Sequence, residues 1–390
     1  MNDVMIAGVG FTEAMAAHRR VESRAELCRE AAHAALDHAG SSRGAVDALV
    51  VGQIDGLEPT NVGGRHIAAQ LGFGPLPVFF VSCGGATGAT LPQVARDLVG
   101  AGDYESVLCI GPPTFDGVID FQKTLNRVFA ATDPPLGIGS VHVGAAIASA
   151  YQRRYGVTTE DIALVAVKAH DNAAANPYAH LRNRTTVADV LTTPLVASPL
   201  HVGMVCPVSS SSAALLVTSA ERARKLRNPL VRLRAIESNA DTGRLSGRPG
   251  LADMQSLAVL ARRVFRAAGV TDPRHDIDVL ELFAPYAAFE LMQYEALGLC
   301  PPGAAGQLLR SGATGAGGDI PVNLSGGPLC TNAGVAAELA PFGYVALQLM
   351  EQAVGEQATD ARRGAAHSMG SSWFMCNTLG VLERVEDRIA

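Results

Sequence analysis

A chain of 390 residues with 48% hydrophobic and 17% charged residues carries enough apolar material for two cores of ordinary size, which excludes a disordered or fibrous chain. Its net charge of −6, with basic residues only in short clusters such as Arg19-Arg20 and Arg262-Arg263, leaves no electrostatic footprint for nucleic acid. The seven cysteines, at positions 28, 83, 109, 206, 300, 330 and 376, show no Cys-x-x-Cys spacing. That pattern argues against a metal site or a disulfide framework and predicts a reducing, cytoplasmic setting.

The N-terminus runs directly into a predicted strand over Val4–Val9, with no basic segment followed by a long apolar core, so no signal peptide is expected. No apolar run approaches the ~20 residues that span a bilayer. Helical periodicity follows over Ser23–Ala39, then strands over Val46–Val51 and Val78–Val81, a helix over Ala89–Leu98 and a strand over Ser106–Ile110. Apolar strands alternating with helices predict an α/β fold with buried, largely parallel strands.

The alternation then breaks for roughly a hundred residues, too long for an ordinary crossover, and an insertion over about 113–200 is expected. Within it Thr158 or Thr159 is placed to cap a helix running through Ala173, with Glu160 and Asp161 in its first turn. A second half repeats the plan: strand Leu230–Ile236, helix Gly250–Ala268, strand Asp278–Phe283, helix Ala287–Leu297, strand Pro321–Leu324, helix Phe342–Val354 and a closing strand Trp373–Arg384. Ala39-Gly40 leading to the Asp47-bearing strand is matched by Ala268-Gly269 leading to the Asp278-bearing strand. Internal duplication is the economical reading, with halves at 1–225 and 226–390.

Five segments in order then carry a resemblance: Gly85-Ala86-Thr87-Gly88 at a strand-to-helix turn; Lys168-Ala169-His170-Asp171-Asn172 with Asn176-Pro177-Tyr178-Ala179; Cys206-Pro207-Val208-Ser209-Ser210-Ser211-Ser212; Tyr294-Glu295-Ala296-Leu297-Gly298; and Pro321-Val322-Asn323-Leu324-Ser325-Gly326-Gly327. Over essentially its whole length the chain resembles the thiolase superfamily, in particular sterol-carrier-protein-X-type thiolases and bacterial lipid-transfer-protein-like relatives. The resemblance implies a thiolase fold: duplicated βαβαβαββ halves forming a five-layered αβαβα sandwich with a large loop insertion. It also implies a coenzyme A thioester as substrate, no covalently bound cofactor, no metal, and a homodimer.

The departures bear on the chemistry. Thiolases place Cys-Ala-Ser-Gly or Cys-Ser-Thr-Gly at the first segment, so Gly85 stands where the nucleophile belongs. A thiol there would be activated by the helix end; glycine keeps the N–H groups, and Gly84 and Gly85 remain an anion or carbonyl site. Phe283 falls where the family has a polar oxyanion-organising residue. No histidine occurs between His275 and His367, so the family's base is missing, and Asn332 best matches its place. Ser368 aligns with the family's second cysteine.

Each remaining candidate has two readings. Cys83 is a substitute nucleophile or a small core residue. Cys330 is a catalytic thiol reaching the cavity from the second half or a packed loop residue. Asn332 polarises a carbonyl but is no base, and His367 is an acid or base, or a structural hydrogen-bonding group. Packing is favoured for Tyr286, a structural role for His142, and a small-residue turn for Ser209–Ser212. Three functions follow: an aldolase-type enzyme breaking a C–C bond beside an acyl-CoA thioester, working with a small OB-fold/zinc-ribbon partner as some relatives do; an acyltransferase or atypical thiolase using a displaced cysteine; and a non-catalytic scaffold subunit.

Overall fold

A computed structural model of the chain describes residues 3–54, 63–114 and 139–386. The first half contributes β1 (Val4–Phe11), α1 (Arg24–Ala39), β2 (Ala48–Gly52), β3 (Val78–Val81), α2 (Thr87–Ala101), β4 (Ser106–Gly111) and β5 (Ala213–Ser219). Helices α3 (Ser140–Tyr155) and α4 (Thr159–Ala173) lie in the expected insertion, whose residues 115–138 fall outside the described ones. The second half contributes β6 (Leu230–Ala240), α5 (Gln255–Ala268), β7 (Val279–Leu282), α6 (Ala287–Ala296), α7 (Val335–Leu349), β8 (Arg363–Gly370) and β9 (Cys376–Val385).

Local chemistry sets the boundaries. Ser23 and Glu26 form a reciprocal capping box on α1, which ends at Gly40 in a left-handed turn (φ 68°). Thr158 and Asp161 cap α4 in the same way, so Thr158 rather than Thr159 is the cap.

The strands run in the order β7-β8-β9-β6-β1-β5-β4-β2-β3. Outward from the β1/β6 contact, both sides repeat one plan. β1 pairs antiparallel with β5, β5 antiparallel with β4, and β4, β2 and β3 are parallel. Likewise β6 pairs antiparallel with β9, β9 antiparallel with β8, and β8 is parallel to β7. Among the described residues the two half-sheets are joined by the β1/β6 pairing, Met5↔Arg232 and Ile6↔Val231.

Side chains alternating along each strand build three large cores, beside a small fourth cluster of Met5, Ala223 and Leu230. Leu108 and Ile110 of β4 join α1, while Val107 and Cys109 join Ala89, Leu91 and Ala95 of α2 and Leu339 and Phe342 of α7. On the far side, Ala365 of β8 and Leu379 of β9 pack with Leu257 and Leu260 of α5. The result is five layers, with α2 and α7 enclosed between the two half-sheets.

Several expectations change. The strands are not largely parallel: β1/β6, β1/β5, β6/β9, β8/β9 and β4/β5 are antiparallel and only β7/β8, β2/β3 and β2/β4 are parallel, because each half joins its parallel edge strands to the centre through antiparallel neighbours. Helix α5 begins at Gln255 rather than Gly250. Pro321–Leu324 forms only a single bridge, Leu280↔Val322, because Asn323 turns left-handed (φ 57°) and breaks the ladder. Helix α7 begins at Val335, seven residues earlier than its apolar pattern suggested, and continues through Pro341. The closing strand is a pair, and β8 was not foreseen because Arg-Gly-Ala-Ala-His-Ser-Met-Gly is poor in strand formers.

Most of the resemblance motifs converge on one buried network. Lys168 Nζ lies 2.6 Å from Glu290 Oε1 and donates to Tyr294 Oη (3.0 Å) and to the Val322 carbonyl (2.9 Å). Asn323 Nδ2 donates to Glu290 Oε2 (2.6 Å), and Asn172 Nδ2 to the Asn323 carbonyl (2.9 Å). These bonds tie α4 of the insertion to α6 and to the Pro321–Leu324 segment that lies beside β7. No described helix is long and apolar enough to cross a membrane.

Candidate functional site

The turn between β3 and α2 is held by Thr87, whose hydroxyl donates to the Gly84 carbonyl (2.6 Å) and accepts from the Cys83 amide (2.8 Å). Gly84 is left-handed (φ 56°), which a side chain would strain. Gly85 faces the end of β8. A Cβ built on Gly85 would lie 2.6 Å from Gly370 Cα and 2.9 Å from the Ser371 nitrogen, and one on Gly370 would lie 2.3 Å from Gly85 Cα. Two backbones therefore touch where a nucleophilic side chain would start, and no side chain fits at residue 85. The Gly85 amide donates to Ser371 Oγ at 3.3 Å.

The connection from β8 to β9 is strained beside this contact: Ser371, Trp373 and Phe374 adopt φ of 68°, 54° and 54°. Non-glycine residues take such values at a cost, and these positions cluster at functional sites. Cys376 opens β9 opposite Gly370. Burial pushes its thiol up, a hydrogen bond from Ser371 works against this, and Cys83 and Glu338 are close enough to act on it. Cys83 and Cys376 are both half-buried free thiols.

Glu338 lies directly beneath the turn. It projects from the first turn of α7, is buried, and accepts from the Gly88 amide at 2.8 Å. The helices touch here, since a Cβ on Gly88 would lie 2.2 Å from the Val335 carbonyl oxygen. Burial pushes the carboxyl up to about 8, against the lowering effect of the Gly88 and Thr87 amides. Ser368, also buried, has no partner for its hydroxyl among the described residues. Strand alternation puts it on the face of β8 that Gly370 presents to the turn.

The other candidates lie elsewhere. His367 occupies the opposite face of β8, between Gln293 of α6 (3.3 Å) and Asn377 Oδ1 (3.2 Å). Burial pushes it down to about 4, so it is neutral. Phe283 packs in the outer core, its amide donating to the His367 carbonyl (2.9 Å). Cys330 is fully buried in the same core, its thiol raised by burial and by Glu290. Asn332 sits at a second cluster: its Nδ2 donates to Cys206 Sγ (3.1 Å), its amide to Ser209 Oγ (3.2 Å), and Ser209 Oγ lies 2.9 Å from His180 Nδ1. Burial pushes the Cys206 thiol up to about 11. Tyr286, from the other side, pairs with Ser140 Oγ at 2.7 Å.

The structure thus gathers Cys83, Gly84, Gly85, Gly370, Ser371, Cys376 and Glu338, and separates them from His367, Phe283 and Cys330. Sequence reasoning passed over Glu338 and Cys376. A lone acid within the apolar run Val335–Leu349 was a readable sign for the first; only the crossing of the two halves reveals the second. Among the described residues no three His, Cys, Asp or Glu side chains gather as metal ligands.

Two half-sheets of one topology enclosing two helices, with a turn from each half meeting at the helix ends, define a thiolase-fold protein. Residues 237–384 match the family model "Thiolase C-terminal domain-like". The acetyl-CoA acetyltransferase of Methanocaldococcus jannaschii is 30% identical, over 79% of this chain and 79% of that protein. Sterol carrier protein 2 of Gallus gallus is 28% identical, over 96% of this chain and 71% of its own length. Among solved structures, the Ltp2-ChsH2(DUF35) aldolase superposes with a TM-score of 0.86 at 25% identity, covering 99% of this chain and 98% of that one. The chain belongs to the thiolase superfamily, with the sterol-carrier-protein-X-type and lipid-transfer-protein-like members.

Proposed function

We propose that this chain breaks the Cα–Cβ bond of a β-hydroxyacyl coenzyme A by a retro-aldol reaction, without an acyl-enzyme and together with a small OB-fold/zinc-ribbon partner. The backbone contact of Gly85 with Gly370 carries this reading, since a side chain has no space at the family's nucleophile position. In the reaction a base takes the β-hydroxyl proton and the C–O bond becomes a carbonyl. The Cα–Cβ bond breaks, its electron pair passes to the thioester as an enolate, and Cα is then protonated. Nothing in this sequence needs a thiol. It needs a donor for the enolate oxygen at the positive end of α2. The Ala86 and Thr87 amides are bonded to the Cys83 and Gly84 carbonyls, and the Gly85 amide, held only at 3.3 Å by Ser371 Oγ, is the donor we assign to it.

The partner is inferred from the similar Ltp2-ChsH2(DUF35) aldolase, in which an aldolase is paired with a DUF35 protein. A homodimer is supported by β3, an edge strand whose Val78, Phe79, Phe80 and Val81 are all half-buried in the single chain. The scattered free cysteines favour the cytoplasm, and the division at 225/226 follows the repeated strand order. A second reading, acyl transfer through a displaced thiol, is favoured by Cys83 and Cys376 beside the turn.

The test is to incubate the purified chain, alone and with an OB-fold/zinc-ribbon protein, with β-hydroxyacyl and β-ketoacyl coenzyme A. Release of an aldehyde or ketone and a shortened acyl-CoA from the β-hydroxy substrate, persisting in Cys83→Ala/Cys376→Ala, supports the aldolase. Free coenzyme A consumed in cleaving the β-keto substrate, lost in that double variant, supports the thiol route instead.

A further inference from the structure

The acid beneath the turn has no part in the reaction as written, and its placement gives it one; the argument rests on the proposed aldol chemistry. Glu338 is 3% exposed and accepts from the backbone of α2 at its first turn. It lies between Val335 and Leu339 on its own helix and packs against Gly88 of α2, all buried, with no cationic partner among the described residues. Helix α2 offers the amides of Thr87 and Gly88, and β9 the thiol of Cys376, which is close enough to feel Glu338 and is itself next to the Cys83 thiol.

The geometry points to Glu338 as the positioning residue of this site: neutral, it holds the start of α2 from within and leaves the turn able to stabilise an enolate, and its ionisation withdraws that capacity. The positive helix end is the one favourable charge the turn offers a developing oxyanion. A carboxylate bonded to the same end competes for it and repels the enolate in poorly screened surroundings. Because burial places the change near 8, the site loses function on the alkaline side of neutrality. A purely structural cap would leave no such mark on catalysis.

The experiment follows kcat/KM for β-hydroxyacyl-CoA cleavage from pH 6 to 10, with the partner present. In parallel, calorimetry follows binding of carboxymethyl-CoA, whose carboxylate sets a fixed negative charge where the enolate oxygen would lie. Both should fall by about tenfold or more in the native protein, through an inflection near 8. The inflection should vanish in Glu338→Gln, which keeps an acceptor but never ionises, and persist in Glu281→Gln, whose carboxyl is bonded to Ser325 in a different cavity. Profiles without an inflection in the native protein, or with one retained in Glu338→Gln, overturn the assignment. Should Glu338→Gln fail to fold, the native profile and Glu338→Asp decide, with an unmoved inflection counting against it. Absence of cleavage with pH-dependent carboxymethyl-CoA binding intact would refute the aldolase reading alone.

Discussion

At residue 85 the difference between a hydrogen atom and a methyl group decides what chemistry is available. Gly85→Ala would push a Cβ to 2.6 Å from Gly370 Cα, a backbone neighbour that cannot swing aside. Such overpacking should cost about 1–3 kcal/mol, read as a lowered denaturation midpoint. An unchanged midpoint would mean the contact is looser than described. Gly85→Cys meets the same obstacle, so restoring the family's residue should not by itself restore its acyl-enzyme. His367 offers a second test. Folding pushes it down from 6.5 to about 4, so the unfolded chain binds more protons between these values. Stability should therefore fall as the pH drops through that window. The fall should be smaller in His367→Gln, by denaturant titrations at successive pH values; an identical slope would show that this ring does not titrate there.

At the scale of elements, the motifs that made the family recognisable turn out to hold the insertion in place. Lys168, Asn172, Tyr294 and Asn323 bond to one another and to Glu290 out of reach of solvent. Lys168→Met leaves the Glu290 carboxylate buried without its cation, which should cost about 3–5 kcal/mol of stability; a change below ~1 kcal/mol would remove this network from the account. Capping boxes at Ser23 and Thr158 and glycines at helix ends were legible because each works within a few residues. Strand β8 was not legible, since its burial on both faces comes from α2, α7 and α6, and small residues suit that place better than β-branched ones. The early start of α7 was hidden for a related reason: Gly334, left-handed at φ 66°, lets Thr114 of the other half cap the helix through its hydroxyl (3.0 Å to the Val335 amide).

At the scale of the whole molecule, the duplication was readable because two helix-to-strand junctions are written alike. The site was only half readable because it exists where the halves cross. Gly85 was visible as a missing side chain, but its partner Gly370 lies 285 residues away, and Glu338 reaches Gly88 across 250. The exposed edge of β3 should pair with a second copy. Sedimentation should show a dimer, and Phe80→Arg, on the half-buried edge, should shift it toward monomer. A monomeric native chain would contradict that arrangement. The central claim is that carbon–carbon cleavage here proceeds with no acyl group on the protein. Intact-mass spectrometry of the chain quenched during turnover of a β-hydroxyacyl coenzyme A tests it most directly. The account predicts an unmodified mass while aldehyde or ketone accumulates; a thioester-linked acyl adduct on Cys83, Cys376 or any other cysteine, formed and consumed at the rate of turnover, would contradict it.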